Sequence, residues 1–201
     1  MIFRGFGKRR YPPEIEERIP PGQTLTEKWP ILTYGRVPRF NPQTWDLRVT
    51  GLVNQEKRWT YEEFMALPRT KVTADIHCVT TWSLLGSEWE GVSVRDLLRL
   101  GDIQIKPEAR YVMQHCDGGY TTNLPIEIFL DNDVLLCYRR NGEDITPDHG
   151  WPLRLVVPKR YFWKSAKWVR SLEFMERDQL GFWENLGYNN NADPWLEERF
   201  S

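Results

Sequence analysis

Cysteine is scarce in this chain: three in 201 residues, an odd number. That is too few for a disulfide-stapled scaffold and fits a reducing compartment. Long apolar runs are missing, and nothing approaches the roughly 20 residues a membrane span needs. Net charge is −1, which excludes a global field favouring nucleic acid or an anionic membrane. The opening segment carries the pair Arg9-Arg10, but Tyr11-Pro12-Pro13 and a charged run follow where a secretory signal would be apolar. No internal repeat and no low-complexity tract appears. A cytoplasmic protein with no membrane span and no nucleic-acid partner is expected.

Aromatics are abundant instead. Ten tryptophans run from Trp29 to Trp195, and such side chains serve deep cores and cofactor pockets alike. With 40% hydrophobic and 27% charged residues the chain can bury a real core. Residues 1–44 are rich in Pro, Gly and charge and read as an extended arm lying on a domain of residues 45–201. Strands are predicted over 45–53, 70–78, 109–116, 133–140 and 167–176, with another leading out of the loop at 148–158. A short helix over 60–68 starts with a capping box, Thr60 and Glu63, and stops at Pro68. A second, "VRDLLRL", follows Ser93 as its cap and closes at Gly101. A third lies near 126–130. Residues 117–125 read as a loop, Asn141-Gly142 as a tight turn, and the tail after Gly181 has no assignable regular state. The sum is a strand-rich α+β domain with short capped helices.

Two His-Cys pairs, His77-Cys78 and His115-Cys116, invite a metal reading. A zinc site built from both is opposed by strand geometry, which sends adjacent side chains to opposite faces, and by the lack of a Cys-x-x-Cys spacing. Cys78 could be a nucleophile with His115 or His149 as base, although no elbow motif frames it. Taken alone it reads as a buried strand-end thiol, as does Cys137 among its apolar neighbours. Further on, His149, Arg154, Lys159, Arg160, Lys164, Lys167 and Arg170 fall within 22 positions, interleaved with aromatics. This is either a solvated basic face or an anion site in which His149, Arg154 and Lys164 converge on a phosphate.

Taken in order, "PPGQTLTEKWPILTYGRVP", "IHCVTTWS" with "WEGVSVRDLL", "NGEDITPDHGWPLRLVVP", "KSAKWVRSLEF" and the "GFWENLGYNNNADPWLEERF" ending form a pattern. It resembles the molybdopterin-binding catalytic domain of the sulfite oxidase superfamily, in its small single-domain form. The resemblance implies that fold and an oxidoreductase that performs two-electron oxygen-atom transfer. Its cofactor would be molybdenum-molybdopterin, with tungsten as a possible substitute metal. It implies that Cys78 is the thiolate ligand of the metal, chemically apt for a soft, sulfur-rich site. Tyr34 and Arg36 would touch the pterin, and Cys116 or Asp117 would approach the cofactor. His149 and Arg154 would contact the pterin and its phosphate, Phe162, Trp163 and Lys164 would wrap the phosphate end, and Tyr120 would sit near the metal.

Two departures narrow the substrate. Sulfite oxidases place an Arg shortly after the ligand Cys, where this chain reads Val79-Thr80-Thr81-Trp82-Ser83, and a second Arg where it has Tyr34. A pocket with fewer cations holds a dianion poorly, so a small S- or N-oxide fits better than sulfite. The chain ends where sulfite oxidases continue into an immunoglobulin-like dimerisation domain, and it holds no heme domain. A separate electron-transfer partner is expected. The competing readings are a non-catalytic carrier of the pterin or another phosphate ligand, and a Cys-His hydrolase.

Overall fold

Alternating apolar and polar residues build two sheets whose inner faces share a core. A computed structural model describes residues 11–201; Arg9 and Arg10 lie outside the described residues. In chain order the elements are α1 (Pro13–Glu16), β1 (Thr24–Leu25), β2 (Asp46–Gly51), β3 (Lys57–Thr60), α2 (Tyr61–Met65), β4 (Thr70–His77) and β5 (Trp82–Ser93). There follow α3 (Val94–Leu100), β6 (Tyr111–Cys116), β7 (Thr121–Pro125), α4 (Ile126–Phe129), β8 (Leu135–Arg140), β9 (Glu143–Asp144), β10 (Arg154–Val156) and β11 (Val169–Met175).

The first sheet has six strands, with β5 as its spine. β1 runs parallel to the start of β5 (Thr24 opposite Trp82), β4 lies antiparallel along it, and β8 takes its far end before passing to β9 and β10. The second has five, in the order β3-β2-β11-β6-β7, with β11 parallel to β2 and antiparallel to β6. Leu47, Val49, Val112, Leu124, Leu136, Leu155 and Leu172 are fully buried in one shared core. Fully burying such a side chain contributes roughly 1.5–3 kcal/mol, so this cluster is the main source of stability.

Several local expectations are met in atomic detail. The N–H of Glu63 donates to Thr60 Oγ1 at 3.3 Å, and the N–H of Thr60 donates to Glu63 Oε2 at 2.8 Å, which is the reciprocal capping box. Asn141 and Gly142 both take positive φ in the turn between β8 and β9. Others are corrected. Ser93 precedes α3 but makes no side-chain cap. Gly101 ends that helix at φ −79°, not left-handed; a Cβ there would come within 2.8 Å of the Trp59 ring, so close packing accounts for the glycine. The segment 117–125 is not all loop. Gly118 and Gly119 turn at φ +81°, which favours glycine, and β7 begins two residues later.

Among the described residues no helix is long and apolar enough to cross a membrane.

Candidate functional site

Cys78 sits immediately past β4, in the tight connection to β5. Its N–H donates to the carbonyl of Trp82 at 2.9 Å, and the N–H of Thr81 donates back to the Cys78 carbonyl at 3.0 Å. The turn closes only because Thr81 adopts φ +71°, a left-handed conformation costly for a β-branched residue. The arm braces this turn. Gln23 Nε2 donates to the Cys78 carbonyl at 3.1 Å, and the N–H of Thr24 donates to the carbonyl of Thr81 at 2.8 Å.

The sulfur itself is an acceptor. Thr80 Oγ1 donates to Cys78 Sγ at 3.2 Å. Burial pushes the thiol pKa up, and hydrogen bonding from Thr80 opposes that shift by favouring the thiolate. Cys78 is 6% exposed, and it lines a cavity of about 350 Å³. The expected site residues Tyr34, Tyr120, His149, Arg154, Phe162 and Trp163 line the same cavity.

Arg154 opens β10 and is buried. It donates to the carbonyls of His149 (Nη1, 2.7 Å), Ser165 (Nη2, 2.9 Å) and Leu155 (Nε, 3.4 Å). A guanidinium has five N–H groups, so two remain. Its plane lies over the Phe162 ring at 4.2 Å. Burial lowers its pKa to about 10, and among the described residues no carboxylate offsets that charge. His149 stacks on Trp29 of the arm with ring centroids 3.8 Å apart. Its Nε2 lies 3.2 Å from the Trp29 carbonyl, which can only accept, so Nε2 carries the proton and Nδ1 accepts from Thr146 Oγ1 at 2.8 Å. Burial and the cations of Arg154 and Lys167 lower its pKa and keep the ring neutral. The Tyr120 hydroxyl donates to the Trp163 carbonyl at 2.7 Å, and burial holds its pKa well above the usual phenol value.

Four expected residues lie elsewhere. Lys164 is 1% exposed and turns away from the cavity. Its Nζ sits 2.6 Å from Glu184 Oε1 and donates to the carbonyl and the Oδ1 of Asn123 at 3.0 Å each. The single-turn helix Phe162–Lys164 directs that side chain into the body, where its charge is already matched. Arg36 is exposed and lines no cavity described here. Cys116 packs against the main core, where burial pushes its thiol up. Asp117 faces a second cavity of about 220 Å³ and pairs with Arg170 at 3.0 Å; Trp168 walls both cavities.

Sequence reasoning passed over Lys167, Trp29, Thr80, Trp82, Trp183 and Tyr188, all lining residues. Lys167 Nζ donates to the carbonyls of Leu32 and Asp148 (2.8 Å each) and to Thr33 Oγ1 (2.6 Å); burial and Arg154 lower its pKa to about 8. Its place in the basic run was the available signal. Trp183 and Tyr188 stack at 5.0 Å in a tail with no periodicity to flag them.

Among the described residues no three of His, Cys, Asp or Glu gather around a common point. A metal at Cys78 would draw further donors from its own organic ligand. A sulfur with a hydroxyl donor, a buried cation without a carboxylate, and the indole N–H of Trp82, buried and without a partner, all belong to one cavity wall. They fit a thiolate-ligated metal carried by an anionic, acceptor-rich organic group.

Comparison with known proteins identifies the family and its cofactor. Residues 34–183 match the family described as oxidoreductase molybdopterin binding domain. The chain belongs to that family. The oxidoreductase molybdopterin-binding domain brings its cofactor with it, molybdenum-molybdopterin, and makes the chain an oxidoreductase. An uncharacterized oxidoreductase of Bacillus subtilis, YuiH, is 45% identical over 197 residues, covering 98% of both chains. A protein of Azospira oryzae named putative protein-methionine-sulfoxide reductase subunit YedZ1 is 29% identical over 85% of this chain and 65% of its own length. Barley (Hordeum vulgare) nitrate reductase is 32% identical over 71% of this chain, which spans only 19% of that enzyme. The crystal structure of the sulfane dehydrogenase SoxCD from Paracoccus pantotrophus shares the molybdopterin-domain fold, with a TM-score of 0.62 at 22% identity over 87% of this chain and 57% of that one.

Proposed function

We propose that this chain transfers an oxygen atom and two electrons on a small, neutral sulfur- or nitrogen-containing substrate, with Cys78 as the metal ligand. One observation carries the reading: the Cys78 sulfur and the uncompensated Arg154 guanidinium open into one cavity. When bound, molybdopterin supplies the two-electron oxygen-transfer chemistry. The chain's own residues bind and orient. Arg154, with two N–H groups to spare, holds the cofactor's phosphate, Lys167 adds its charge nearby, and Trp29 on His149 walls its flank. The Tyr188 phenol lines the cavity; burial and the charge of Cys78 raise its pKa, so it stays protonated near neutral pH and can donate to a substrate oxygen.

A neutral substrate follows from charge. Arg154 and Lys167 are the cations of the described lining, and the phosphate would take both. Sulfite would then meet aromatic walls, Trp82, Trp183 and Tyr188, with no cation left to offset it. An oxide fits: a dialkyl sulfoxide plus two electrons and two protons gives the dialkyl sulfide and water, the electrons coming from a separate redox partner. The name of the Azospira relative, a protein-methionine-sulfoxide reductase subunit, is compatible with such chemistry. Three free cysteines suit a reducing, cytoplasmic setting.

The test is elemental analysis of protein produced with molybdate, paired with reduction of an alkyl sulfoxide by a viologen donor. Wild type should carry about one molybdenum per chain and reduce the sulfoxide faster than it oxidises sulfite. Cys78→Ser should lose both metal and turnover. Full activity in Cys78→Ser would refute the ligand assignment, whereas wild type that binds the pterin without turnover would leave the carrier reading.

A further inference from the structure

We propose that Arg199, in the tail, is a positioning residue for the Cys78 turn: it grips the peptide that joins Val79 to Thr80, the residue whose hydroxyl donates to the sulfur, and brings to that turn a cation that Val79–Ser83 lacks. The inference rests on the reading of Cys78 as the metal ligand.

Each carbonyl of the turn has a partner. That of Cys78 accepts from Thr81 and Gln23, that of Thr80 from Thr81 Oγ1 at 2.7 Å, and that of Thr81 from Thr24. The carbonyl of Val79 accepts from Arg199 Nη1 at 2.6 Å. The peptide that joins Val79 to Thr80 is planar, so its C=O and N–H point in opposite directions. Arg199 holds the oxygen end, and the N–H end belongs to Thr80, whose Oγ1 donates to Cys78 Sγ at 3.2 Å. A guanidinium on the carbonyl fixes that plane and with it the place of the Thr80 side chain beside the sulfur.

The arginine is itself held. Its side chain is 15% exposed, its guanidinium lies 5.0 Å over the fully buried Tyr161 ring, and Nη2 reaches the Pro21 carbonyl at 3.4 Å. Glu197, the acid beside it, is 4.0 Å away, so the charge is only loosely matched. Arm and tail thus meet on the turn from two sides. A side chain some 120 positions distant in sequence controls how the ligand sulfur is presented.

The full-length protein tests this with Arg199→Ala and Arg199→Lys. In cofactor-free protein, NMR amide exchange at Thr80 should accelerate at least tenfold in Arg199→Ala while core amides such as Leu172 stay within twofold, and Arg199→Lys should recover part of the loss. In metal-loaded protein, the electron paramagnetic resonance spectrum of the metal should shift in Arg199→Ala and return toward wild type in Arg199→Lys. Unchanged Thr80 exchange overturns the proposal, and so does an unchanged spectrum. If the alanine variant fails to fold, Arg199→Gln is read by the same criteria. Failure of the metal reading looks different: wild type itself would show no molybdenum signal, while the exchange experiment would still decide the role of Arg199.

Discussion

The hydroxyl of Thr80 lies 3.2 Å from the sulfur of Cys78 and donates to it. Two residues apart in one tight turn, they place a proton donor where negative charge on sulfur must be stabilised. Thr80→Val keeps the shape and removes the donor. Losing one such bond is worth about 1 kcal/mol, which is about 40 mV for a one-electron couple. Because the donor stabilises the more electron-rich state, the midpoint potential of the loaded protein should fall by that amount. A redox titration followed by electron paramagnetic resonance reads it; an unchanged potential would remove Thr80 from the site.

Arg154 makes the opposite kind of contribution, a charge kept without an acid. Arg154→Gln removes the cation and the free N–H pair. Charged hydrogen bonds contribute about 1.5–3 kcal/mol, so affinity of the cofactor-free protein for inorganic phosphate should drop at least tenfold by calorimetry. The melting temperature should move much less than a core deletion would move it. Equal phosphate affinity in the variant would mean that the cavity does not bind anions through this residue.

Lys164 and Glu184 form a buried pair with 1% and 0% side-chain exposure. Thr122 Oγ1 and Trp163 Nε1 also donate to Glu184 Oε1, at 2.8 and 3.0 Å. Removing one partner strands a charge in the interior, so Lys164→Met should destabilise by about 3–5 kcal/mol in urea unfolding. The double variant Lys164→Met with Glu184→Leu should recover much of that loss. A lysine acting on a phosphate would behave differently, with ligand affinity lost and stability kept.

These two lysines show what the sequence could reveal. Residues 164 and 167 belong to one basic run, and nothing in composition says which one turns inward. The single-turn helix ending at Lys164 decides that, and such a turn leaves no periodicity to read. Cys78, His149 and Arg154 were grouped by the family resemblance, since a strand-end thiol alone reads as core, and the fold brings all three to one cavity. β4 and α2 were legible through alternation and the capping box. β5, the spine of the larger sheet, was not: its run "WSLLGSEWEGVS" is interrupted by two glycines and buries residues on both faces, so it shows no period of two. Gly91 is there because the backbone of β8 approaches too closely for a Cβ. Arg199 and Tyr188 reach the site from an irregular tail, through contacts that only the folded chain creates.

Lys167 supplies a test by pH. In the folded protein burial and the neighbouring Arg154 hold its pKa near 8, against about 10.4 for an unfolded lysine. The folded state therefore binds fewer protons than the unfolded one between those values, and stability rises with pH across that window. Below pH 8 both states are protonated and the full cost of burying the ammonium is present. As pH climbs from 8 toward 10.4 that cost fades. The side chain keeps some solvent contact, so the gain is discounted for screening to about 1–2 kcal/mol. Lys167→Met removes the group, so the stability difference between wild type and variant, measured by urea unfolding without cofactor, should shift in favour of wild type by that amount between pH 8 and 10. Titrations common to both proteins cancel in the difference. A bound phosphate should abolish the trend, because an anion beside Nζ favours the ammonium and raises its pKa. A difference that is flat with pH, with and without phosphate, would show that Lys167 is not confined in the cavity wall as a buried cation.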